Sequence, residues 1–240
     1  MVGTPGINFG DLLLTNAGET FRTSMLTVAQ KERFTYIYGL GGNDTMIVNT
    51  LAYIPSIMIG DDGDDLMKIT VALPSLPGES GIDFVGGEGS DTLFGSTNGD
   101  FLAGNTGADR ILGGGGNDYI SGGAAADRLT GGGGSDTFNY GNFDYYRRGA
   151  TLYVTANMGR DTITDFNPSG TKADKIKINV GVMYRDLDIR QVGDDVIIRA
   201  HKDDIPVFLN DATSLVDFST TIVLENVDIA DIGRGDFIFL

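Results

Sequence analysis

Residues 86–139 read GGEGSDTLF, GSTNGDFLA, GNTGADRIL, GGGGNDYIS, GGAAADRLT and GGGGSDTFN, which are six nonapeptides that follow one another without a gap. Each has an aspartate at its sixth place and a large apolar residue at its eighth place. A fixed period kept over six repeats is the signature of a repeat architecture. The sixth-place residues are Asp91, Asp100, Asp109, Asp118, Asp127 and Asp136, and the eighth-place residues are Leu93, Leu102, Ile111, Ile120, Leu129 and Phe138.

The first six places of each repeat predict a tight turn, because glycine reaches positive φ without steric cost and lets backbone carbonyls face inward. The last three places, such as Thr92-Leu93-Phe94, are β-prone and carry one inward apolar side chain. Two repeats then close one coil, so that turns eighteen residues apart stack on the same edge. Each stacked pair of turns presents carboxylates and carbonyls, which are the hard oxygen ligands that Ca²⁺ prefers.

The composition agrees with an acidic, cation-binding chain. There are 33 Asp and Glu against 17 Lys and Arg, for a net charge of −16, which does not suit nucleic acid or an anionic membrane surface as a partner. With no Cys and one His, zinc, copper and iron–sulfur chemistry have almost no ligands. A hydrophobic content of 41% is enough for a core. We expect neither a membrane span nor an N-terminal secretory signal peptide.

Two isolated nonapeptides precede the array. GLGGNDTMI begins at Gly39 and has Asp44 at its sixth place, and GDDGDDLMK begins at Gly60 and has Asp65 there. We predict that the turns beginning at residues 39, 60 and 86 lie on the same edge of one solenoid, with insertions on the opposite edge around residues 49–55 and 74–81. The alternative is that both are ordinary turns, since Asp and Gly are common turn residues.

The nonapeptide G-G-x-G-x-D-x-U-x is that of RTX proteins, and residues 86–139 resemble this family closely. Downstream, Asp161-Thr162-Ile163, Asp165-Phe166 and Asp174-Lys175-Ile176 resemble the segment that follows the calcium repeats in serralysin-type metalloproteases. The chain ends in Asp236-Phe237-Ile238-Phe239-Leu240, which is similar to the uncleaved secretion signal of serralysin-type substrates of type I exporters. An ordinary terminal strand is the alternative for these last residues.

The resemblance implies an all-β fold: a right-handed parallel β-roll (β-solenoid) of calcium-binding nonapeptide repeats with a β-rich C-terminal cap. We expect an N-terminal cap over residues 1–38, the β-roll over 39–139, and a flanking β cap over 140–240 with a secretion signal at the extreme C-terminus. Aromatic residues follow the array, as expected where a solenoid covers its open end. In the cap, LDIRQVGDDVIIRA (187–200) predicts a hairpin that turns at Gly193-Asp194.

The resemblance also implies a ligand set for at least four Ca²⁺ ions. In the family, one turn gives the carbonyls of places two and four and the Asp at place six, and the turn eighteen residues later gives the carbonyls of places one and three and its Asp. The implied sets are Gly87, Gly89 and Asp91 with Gly104, Thr106 and Asp109; Ser96, Asn98 and Asp100 with Gly113, Gly115 and Asp118; Asn105, Gly107 and Asp109 with Gly122, Ala124 and Asp127; Gly114, Gly116 and Asp118 with Gly131, Gly133 and Asp136; Gly63 and Asp65 with Glu88 and Asp91; and Gly42 and Asp44 with Asp62 and Asp65.

Two residues depart from glycine at place four of their turns. Asn98 tolerates the left-handed region well, so we expect little disturbance there. Ala125 pays a steric cost at positive φ, which weakens a site that uses its carbonyl.

The function implied is that of a secreted calcium-binding protein whose folding is driven by extracellular Ca²⁺ after type I export, at or beyond the surface of a Gram-negative bacterium. Two alternatives stay open: a self-assembling surface-layer, matrix or adhesive protein, and a polysaccharide-binding or polysaccharide-modifying module like those attached to alginate epimerases. We expect no enzyme activity, because His201 is the single His and neither H-E-x-x-H, G-x-S-x-G nor a Cys nucleophile occurs.

Overall fold

The computed structural model describes residues 11–26, 36–51, 55, 57–72, 80–140, 147–148, 151–152, 157–178, 182–209 and 212–239. These residues form β-strands and short 3-10 helices (Thr23–Met25, Tyr184–Asp186, Ile229–Asp231 and Arg234–Asp236), with no α-helix among them. The strands are Asp11–Leu13 (β1), Thr20–Arg22 (β2), Tyr36–Tyr38 (β3), Thr45–Val48 (β4), Ile57–Asp62 (β5), Leu66–Ile69 (β6), Ser80–Glu88 (β7), Thr92–Phe94 (β8), Gly99–Thr106 (β9), Arg110–Gly115 (β10), Tyr119–Ala124 (β11), Arg128–Gly133 (β12), Thr137–Tyr140 (β13), Arg147–Arg148 (β14), Thr151–Leu152 (β15), Asn157–Ile163 (β16), Lys175–Ile178 (β17), Leu187–Val192 (β18), Asp195–Leu209 (β19), Ala212–Leu224 (β20) and Phe237–Phe239 (β21).

The strands form two large sheets between which the chain alternates. The nine-stranded sheet has the order β1-β3-β5-β7-β9-β11-β13-β17-β21, and the ten-stranded sheet has the order β18-β19-β20-β16-β12-β10-β8-β6-β4-β2. Neighbouring strands through the repeats are parallel, and they come from consecutive coils. This is the all-β parallel β-roll that the nonapeptide period predicts, and the fold class is confirmed.

The eighth-place residues form two rows inside the roll. Leu93, Ile111 and Leu129 are register partners in the ten-stranded sheet, while Leu102, Ile120 and Phe138 are register partners in the nine-stranded sheet. All six side chains are completely buried. Burial of side chains of this size stabilises by roughly 1.5–3 kcal/mol each, so one apolar residue per nonapeptide is enough to build a continuous core.

The two upstream nonapeptides belong to the same solenoid. Met46 pairs with Met67, and Met67 pairs with Leu93, so that their turns stack on the edge that carries the turn at residue 86. The predicted common edge for residues 39, 60 and 86 is therefore present. The insertions predicted on the opposite edge fall largely on residues 52–54, 56 and 73–79, which lie outside the described residues.

Strands β1 to β3 continue both sheets beyond the first recognisable nonapeptide. Leu12 pairs with Ile37, which pairs with Met58 in the nine-stranded sheet, and Phe21 pairs with Met46 in the ten-stranded sheet. Residues 11–13, 20–22 and 36–38 thus extend both sheets of the roll. The sequence indicated this only weakly, because a single glycine, Gly18, lies between β1 and β2.

The C-terminal region also adds strands to both sheets. β16 pairs with β12 and β17 pairs with β13, both in parallel. The predicted hairpin is present as β18 and β19, whose antiparallel pairing ends at Val192 and Asp195 on either side of Gly193-Asp194. Among the aromatic residues after the array, Tyr140 is fully buried, while Phe143, Tyr145 and Tyr146 lie outside the described residues.

The last described residues form strand β21, in which Phe237 pairs with Ile176 of β17 and is buried. This supports the interpretation of the tail as a terminal strand, whatever else it does. Within the described residues, no helix is long and apolar enough to cross a membrane.

We predict that Ile120→Ala lowers the free energy of unfolding by about 2–5 kcal/mol, because it opens a cavity in a fully buried row. Val192→Ala is the matched control, since Val192 is 55% exposed and its truncation is expected to cost less than about 0.5 kcal/mol. Urea unfolding of both variants in the same calcium concentration measures the difference. Equal losses would contradict the inward assignment of the eighth place.

Candidate metal sites

The sixth-place aspartates form two hydrogen-bonded ladders, one along each edge of the roll. Each Asp accepts, through Oδ1, the backbone N–H of the Asp one coil earlier, over N–O distances of 2.7–2.9 Å. The first ladder runs through Asp44, Asp65, Asp91, Asp109, Asp127 and Asp161, and the second runs through Asp100, Asp118, Asp136 and Asp174.

The second oxygen of most ladder carboxylates is buried and lacks a hydrogen-bond partner. A buried polar atom without a partner costs roughly 1–3 kcal/mol, and more where the group is charged. Repetition of this feature along both ladders indicates oxygens placed to bind a ligand, rather than poor packing. The Oδ2 atoms concerned include those of Asp44, Asp65, Asp91, Asp109, Asp118 and Asp136.

Glycine at place one keeps open the space beside each of these oxygens. A Cβ on Gly104 would overlap Oδ2 of Asp109 and would lie 2.5 Å from the carbonyl oxygen of Gly122, one coil further on. Gly60 and Gly113 show the same arrangement with Asp65 and Asp118. The missing Cβ thus lets a carboxylate oxygen and a carbonyl oxygen both approach the glycine backbone closely.

The remaining predicted donors face the same gap between turns. The carbonyls of Asn105 and Gly89, at places two and four, point towards Gly123 and Gly107 of the next turn on their edge. The carbonyl of Thr106, at place three, points back and accepts the N–H of Gly89 at 2.8 Å. Carbonyls of places two, three and four therefore lie close to the neighbouring turn on the same edge.

Stacking places residues of several implied sets next to one another. Gly107 donates to the carbonyl of Ala124, and Gly116 donates to that of Gly133. Gly63 donates to the carbonyl of Glu88, and Gly41 forms a parallel bridge with Asp62. Within the described residues, no group of three or more acidic or histidine side chains is clustered enough to hold a metal by itself. Metal binding here would therefore depend on main-chain carbonyls as well as on the ladder carboxylates.

The turn at residues 95–100 differs from the others. Neither Ser96 nor Asn98 has a positive φ, so the expectation that Asn98 adopts the left-handed region is wrong. Instead the Ser96 hydroxyl donates to Oδ1 of Asp100 at 2.9 Å, and its N–H donates to Oδ2. Both oxygens of Asp100 therefore accept protein hydrogen bonds, unlike the ladder carboxylates whose Oδ2 has no such partner.

Ala125 adopts the strained backbone conformation that its place in the turn predicts. Its φ is +86°, so it accepts the strained left-handed conformation that glycine takes at the equivalent place of other turns. The stacked geometry of the roll, and not the residue's own preference, fixes the conformation there.

Several ladder members were missed by sequence reasoning. Asp161 and Asp174 continue the two ladders, and Glu19 begins the first one by donating its N–H to Asp44. Asp165 accepts the N–H groups of Gly131 and Gly132 at 2.9 and 2.7 Å, which closes the end of the second edge. The signal was present: each ladder residue is followed two places later by an inward apolar residue, as in Asp161-Thr162-Ile163.

Burial raises the pKa of the ladder carboxyls. Desolvation is the main cause, hydrogen bonds from the stacked N–H groups oppose it, and neighbouring ladder carboxylates add to it. The pKa rises to about 7 for Asp65 and Asp91, to about 9 for Asp109 and to about 8 for Asp118. A cation placed between the turns would reverse this effect, since it favours the ionised form.

The donors therefore fit calcium. They are hard oxygens, and they come from stacked turns. Bound Ca²⁺ would supply the positive charge that offsets the negative charge of neighbouring carboxylates. The chain's own residues supply the stacking that brings the oxygens together.

Fold and ladders together define a class of protein: a parallel β-roll with carboxylate and carbonyl cation sites between its turns. Residues 36–49, 85–120 and 112–145 match the family model described as RTX calcium-binding nonapeptide repeat (4 copies). The chain therefore carries RTX-type calcium-binding nonapeptide repeats. No curated protein sequence matches it.

Solved structures with a similar course of the chain include two subunits of the Azotobacter vinelandii mannuronan C5-epimerase. AlgE6R2 is 27% identical, with a TM-score of 0.41 over 65% of this chain and 91% of that chain. AlgE6R3 is 26% identical, with a TM-score of 0.41 over 63% of this chain and 78% of that chain. The extracellular lipase LipA from Serratia marcescens is 16% identical, with a TM-score of 0.42 over 85% of this chain and 40% of that chain.

We predict that Asp109→Asn separates calcium binding from stacking. Asparagine keeps the oxygen that accepts the Asp91 N–H, but it removes the negative charge beside Gly104. The calcium concentration at the folding midpoint should rise on the order of tenfold, because ligand charge tunes the affinity of such sites. In EDTA at pH 8 the β content of the variant should be no lower than that of the unaltered chain. Asp194→Asn, in an exposed turn, is the control and should leave calcium titrations followed by circular dichroism unchanged.

A second prediction concerns pH in the presence of a chelator. The pKa of Asp109 is 3.8 in its ordinary state and about 9 in the metal-free fold, so the stability it contributes is complete below pH 4 and is lost as pH rises towards 9. Asp65, Asp91 and Asp118 act in the same direction between about pH 4 and their raised values of about 7 to 8. The β content of the chain in EDTA, measured by circular dichroism, should therefore fall from pH 5 to pH 8. A β content that rises over this range would contradict the burial of the ladder carboxyls.

Proposed function

We propose that calcium binding between the stacked turns drives folding of the β-roll outside the cell, after export by a type I system. The single observation that supports this most is the repeated buried carboxylate oxygen without a hydrogen-bond partner along both ladders. A chain that must bury such atoms is poorly stable until a cation supplies the missing interaction. Calcium is scarce in the cytosol and abundant outside, so the ion would act as the signal that export is complete.

The energetics favour a large effect. Glycine-rich turns lose more conformational freedom on folding than other segments, and adjacent ladder carboxylates repel one another when ionised. Extracellular calcium modules bind with Kd of about 10⁻⁴ to 10⁻³ M, and free calcium at about 100 times Kd adds roughly 2.7 kcal/mol per independent site. At least four ions, as we propose, would add a total comparable with the whole stability of a typical domain, roughly 5–15 kcal/mol.

We propose that the ions lie in the gaps between the implied ligand sets, and that the gap at Ser96 and Asn98 is the weakest. The Ser96 donors that bind Asp100 support that ranking. In this scheme residues 1–38 and 140–240 act as caps for the ladder over 39–139, and the ladder residues Glu19, Asp161 and Asp174 join each cap to it.

The decisive experiment is circular dichroism of the full chain in EDTA, in millimolar Ca²⁺ and in millimolar Mg²⁺. We expect a largely unstructured chain in EDTA and a β-rich chain in calcium. Magnesium should not substitute, because it demands a small octahedral shell and releases water reluctantly. Full β content in excess EDTA at pH 8 would refute calcium-driven folding.

The C-terminal tail is proposed to serve both as an edge strand and as part of the export signal. Phe237 is buried against Ile176 and its ring lies 5.5 Å from that of Tyr184, whereas Ile238 is 40% exposed. Ile238→Ser should therefore change stability by less than about 0.5 kcal/mol but reduce secretion through a type I system. Phe237→Ala is the contrasting variant, with an expected loss of about 3–5 kcal/mol.

Secretion yield and thermal melting measured on the same two variants separate the two roles of the tail. Normal secretion of Ile238→Ser, and of a chain truncated after Asp236, would rule out the export signal. Melting of the truncated chain at the unaltered temperature would rule out the edge-strand role.

A further inference from the structure

The interior of the roll changes at the residue that follows the last nonapeptide. Residue 140 is the position at which a seventh nonapeptide would begin, and it is tyrosine, whereas all six nonapeptides begin with glycine. Side chains alternate along a strand, so the inward Phe138 places Tyr140 on the inside as well, and Tyr140 is only 1% exposed. A large side chain with a polar end therefore lies where the repeats have no side chain.

The Tyr140 hydroxyl lies beside the last two carboxylates of the first ladder. Burial is the main cause that raises the pKa of Tyr140 well above 10, and the negative charges of Asp161 and Asp127 raise it further. The two carboxylates are linked by the ladder contact, in which the Asp127 N–H donates to Oδ1 of Asp161 at 2.9 Å. Three oxygen-bearing side chains, one from the last turn of the first edge, one from β13 and one from β16, are thus brought together.

Neither Tyr140 nor Asp161 satisfies its innermost oxygen within the protein. The Tyr140 hydroxyl and Oδ2 of Asp161 are both buried and have no hydrogen-bond partner in good geometry, although each group affects the pKa of the other. Asp161 is fully buried, and no Lys or Arg of the described ranges forms an ion pair with it. A buried negative charge without a counter-charge is costly, so these oxygens are placed for a positively charged ligand.

The backbone around these carboxylates has the form of the turns between repeats. Ala125 and Gly159 both adopt positive φ, at +86° and +74°, and a Cβ on Gly159 would overlap the carbonyl oxygen of Ala125. Thr162 donates its N–H to the carbonyl of Asp127 at 2.8 Å. The segment that contains Asp161 is therefore stacked on the last turn of the first edge as one repeat is stacked on the next.

We propose that Tyr140, Asp127 and Asp161 bind a cation of their own, at a place that we call the junction site because it joins the array to the C-terminal region. The ligand sets implied by the nonapeptides do not include it: Asp127 occurs in them only with Asp109, and Tyr140 and Asp161 lie outside the repeats. The junction site also differs in kind, because a side-chain hydroxyl takes part. A neutral phenol offers a lone pair to a cation and an O–H to a carboxylate, so Tyr140 can serve both.

The donors of the junction site suit a hard divalent cation. Carboxylate, phenol and carbonyl oxygens favour Ca²⁺ over softer metals, and two carboxylates balance the charge of one divalent ion. All three side chains are at most 3% exposed, which leaves little room for the water that Mg²⁺ retains. The identity of the ion rests on the proposed function, in which calcium is the cation of the repeats.

A cation in the junction site would fasten the C-terminal region to the array. Asp161 follows Asp127 by 34 residues, whereas ladder neighbours within the array are eighteen apart. Closing a longer loop costs more conformational entropy, so we expect the junction site to fill after the sites within the array. Docking of the C-terminal region onto the last repeat then depends on calcium.

The first test counts the ions bound by the full chain, by equilibrium dialysis against CaCl₂. Asp161→Asn keeps an oxygen that accepts the Asp127 N–H but removes one negative charge, and it should bind one calcium ion fewer per chain. Tyr140→Phe keeps the ring and loses only the hydroxyl. It should raise the Kd of that same ion about tenfold or more, since changes around a metal typically cost about 10–100-fold in affinity. Asp231→Asn, at an exposed position, is the control and should leave the ion count unchanged.

The second test locates the ion through terbium luminescence. Tb³⁺ binds oxygen sites that take Ca²⁺, and it emits when a tyrosine next to it absorbs light and transfers the energy. Addition of TbCl₃ to the calcium-loaded chain should give an emission that is lower in Tyr140→Phe. Tyr184→Phe is the matched control, because the Tyr184 ring packs against Phe237 of the terminal strand at 5.5 Å, and it should leave the emission unchanged.

Thermal melting separates an ion from a direct hydrogen bond. If the Tyr140 hydroxyl acts through calcium, the difference in melting temperature between Tyr140→Phe and the unaltered chain widens as calcium rises through the range in which the site fills, because binding stabilises only the state that holds the ion. A difference that stays constant would mean that the hydroxyl simply bonds to Asp161, and it would overturn the proposal. An unaltered ion count in Asp161→Asn, or unchanged terbium emission in Tyr140→Phe, would overturn it too.

These outcomes are distinct from a failure of the proposed function. Calcium-driven folding fails if the unaltered chain keeps its β content in EDTA, and ion counts and terbium emission can still be measured on such a chain. A chain that folds when calcium is added but shows no response to Tyr140→Phe would refute the junction site alone.

Discussion

The stacking of the coils depends on one contact that repeats along both edges of the roll: a backbone N–H of one coil donates to the carboxylate of the next coil. The contact fixes the distance and register between coils, and it holds Oδ1 of each ladder Asp in the interior. Because only one oxygen is used, the other is left buried beside a glycine. The same geometry that stacks the coils therefore creates the cation sites.

The inward apolar rows and the two edges could be predicted from the sequence because the nonapeptide encodes both at fixed places. Leu93 indicates where the core lies, and Asp91 indicates where the ladder lies. Two nonapeptides per coil then give stacking at eighteen residues. The upstream turns at Gly39 and Gly60 were also predictable, since an insertion on one edge changes the spacing without changing which edge a turn occupies.

The ends of the ladders were harder to predict because their chemistry changes while their geometry does not. Glu19 replaces Asp and is preceded by a turn with a single glycine at position 18, so that no glycine pattern marks it. Asp161 and Asp174 lie 34 and 38 residues beyond their ladder neighbours rather than eighteen. The prediction for Asn98 failed for a different reason. Its backbone conformation accompanies the hydrogen bonds of Ser96, and these bonds cannot be read from a propensity for the left-handed region.

The ladder also has a direction. Every coil offers its N–H towards the C-terminal side and its carboxylate towards the N-terminal side, so the two ends of the stack are not equivalent. A coil exposed at the N-terminal end leaves a carboxylate oxygen that water can solvate, whereas a coil exposed at the C-terminal end leaves an amide whose acceptor is gone. Asp161 and Asp174 supply those acceptors from outside the repeats. The C-terminal region thus provides the acceptors that complete the last repeat. Order in the solenoid can spread from there towards the N-terminus, because each coil supplies the acceptor for the coil before it.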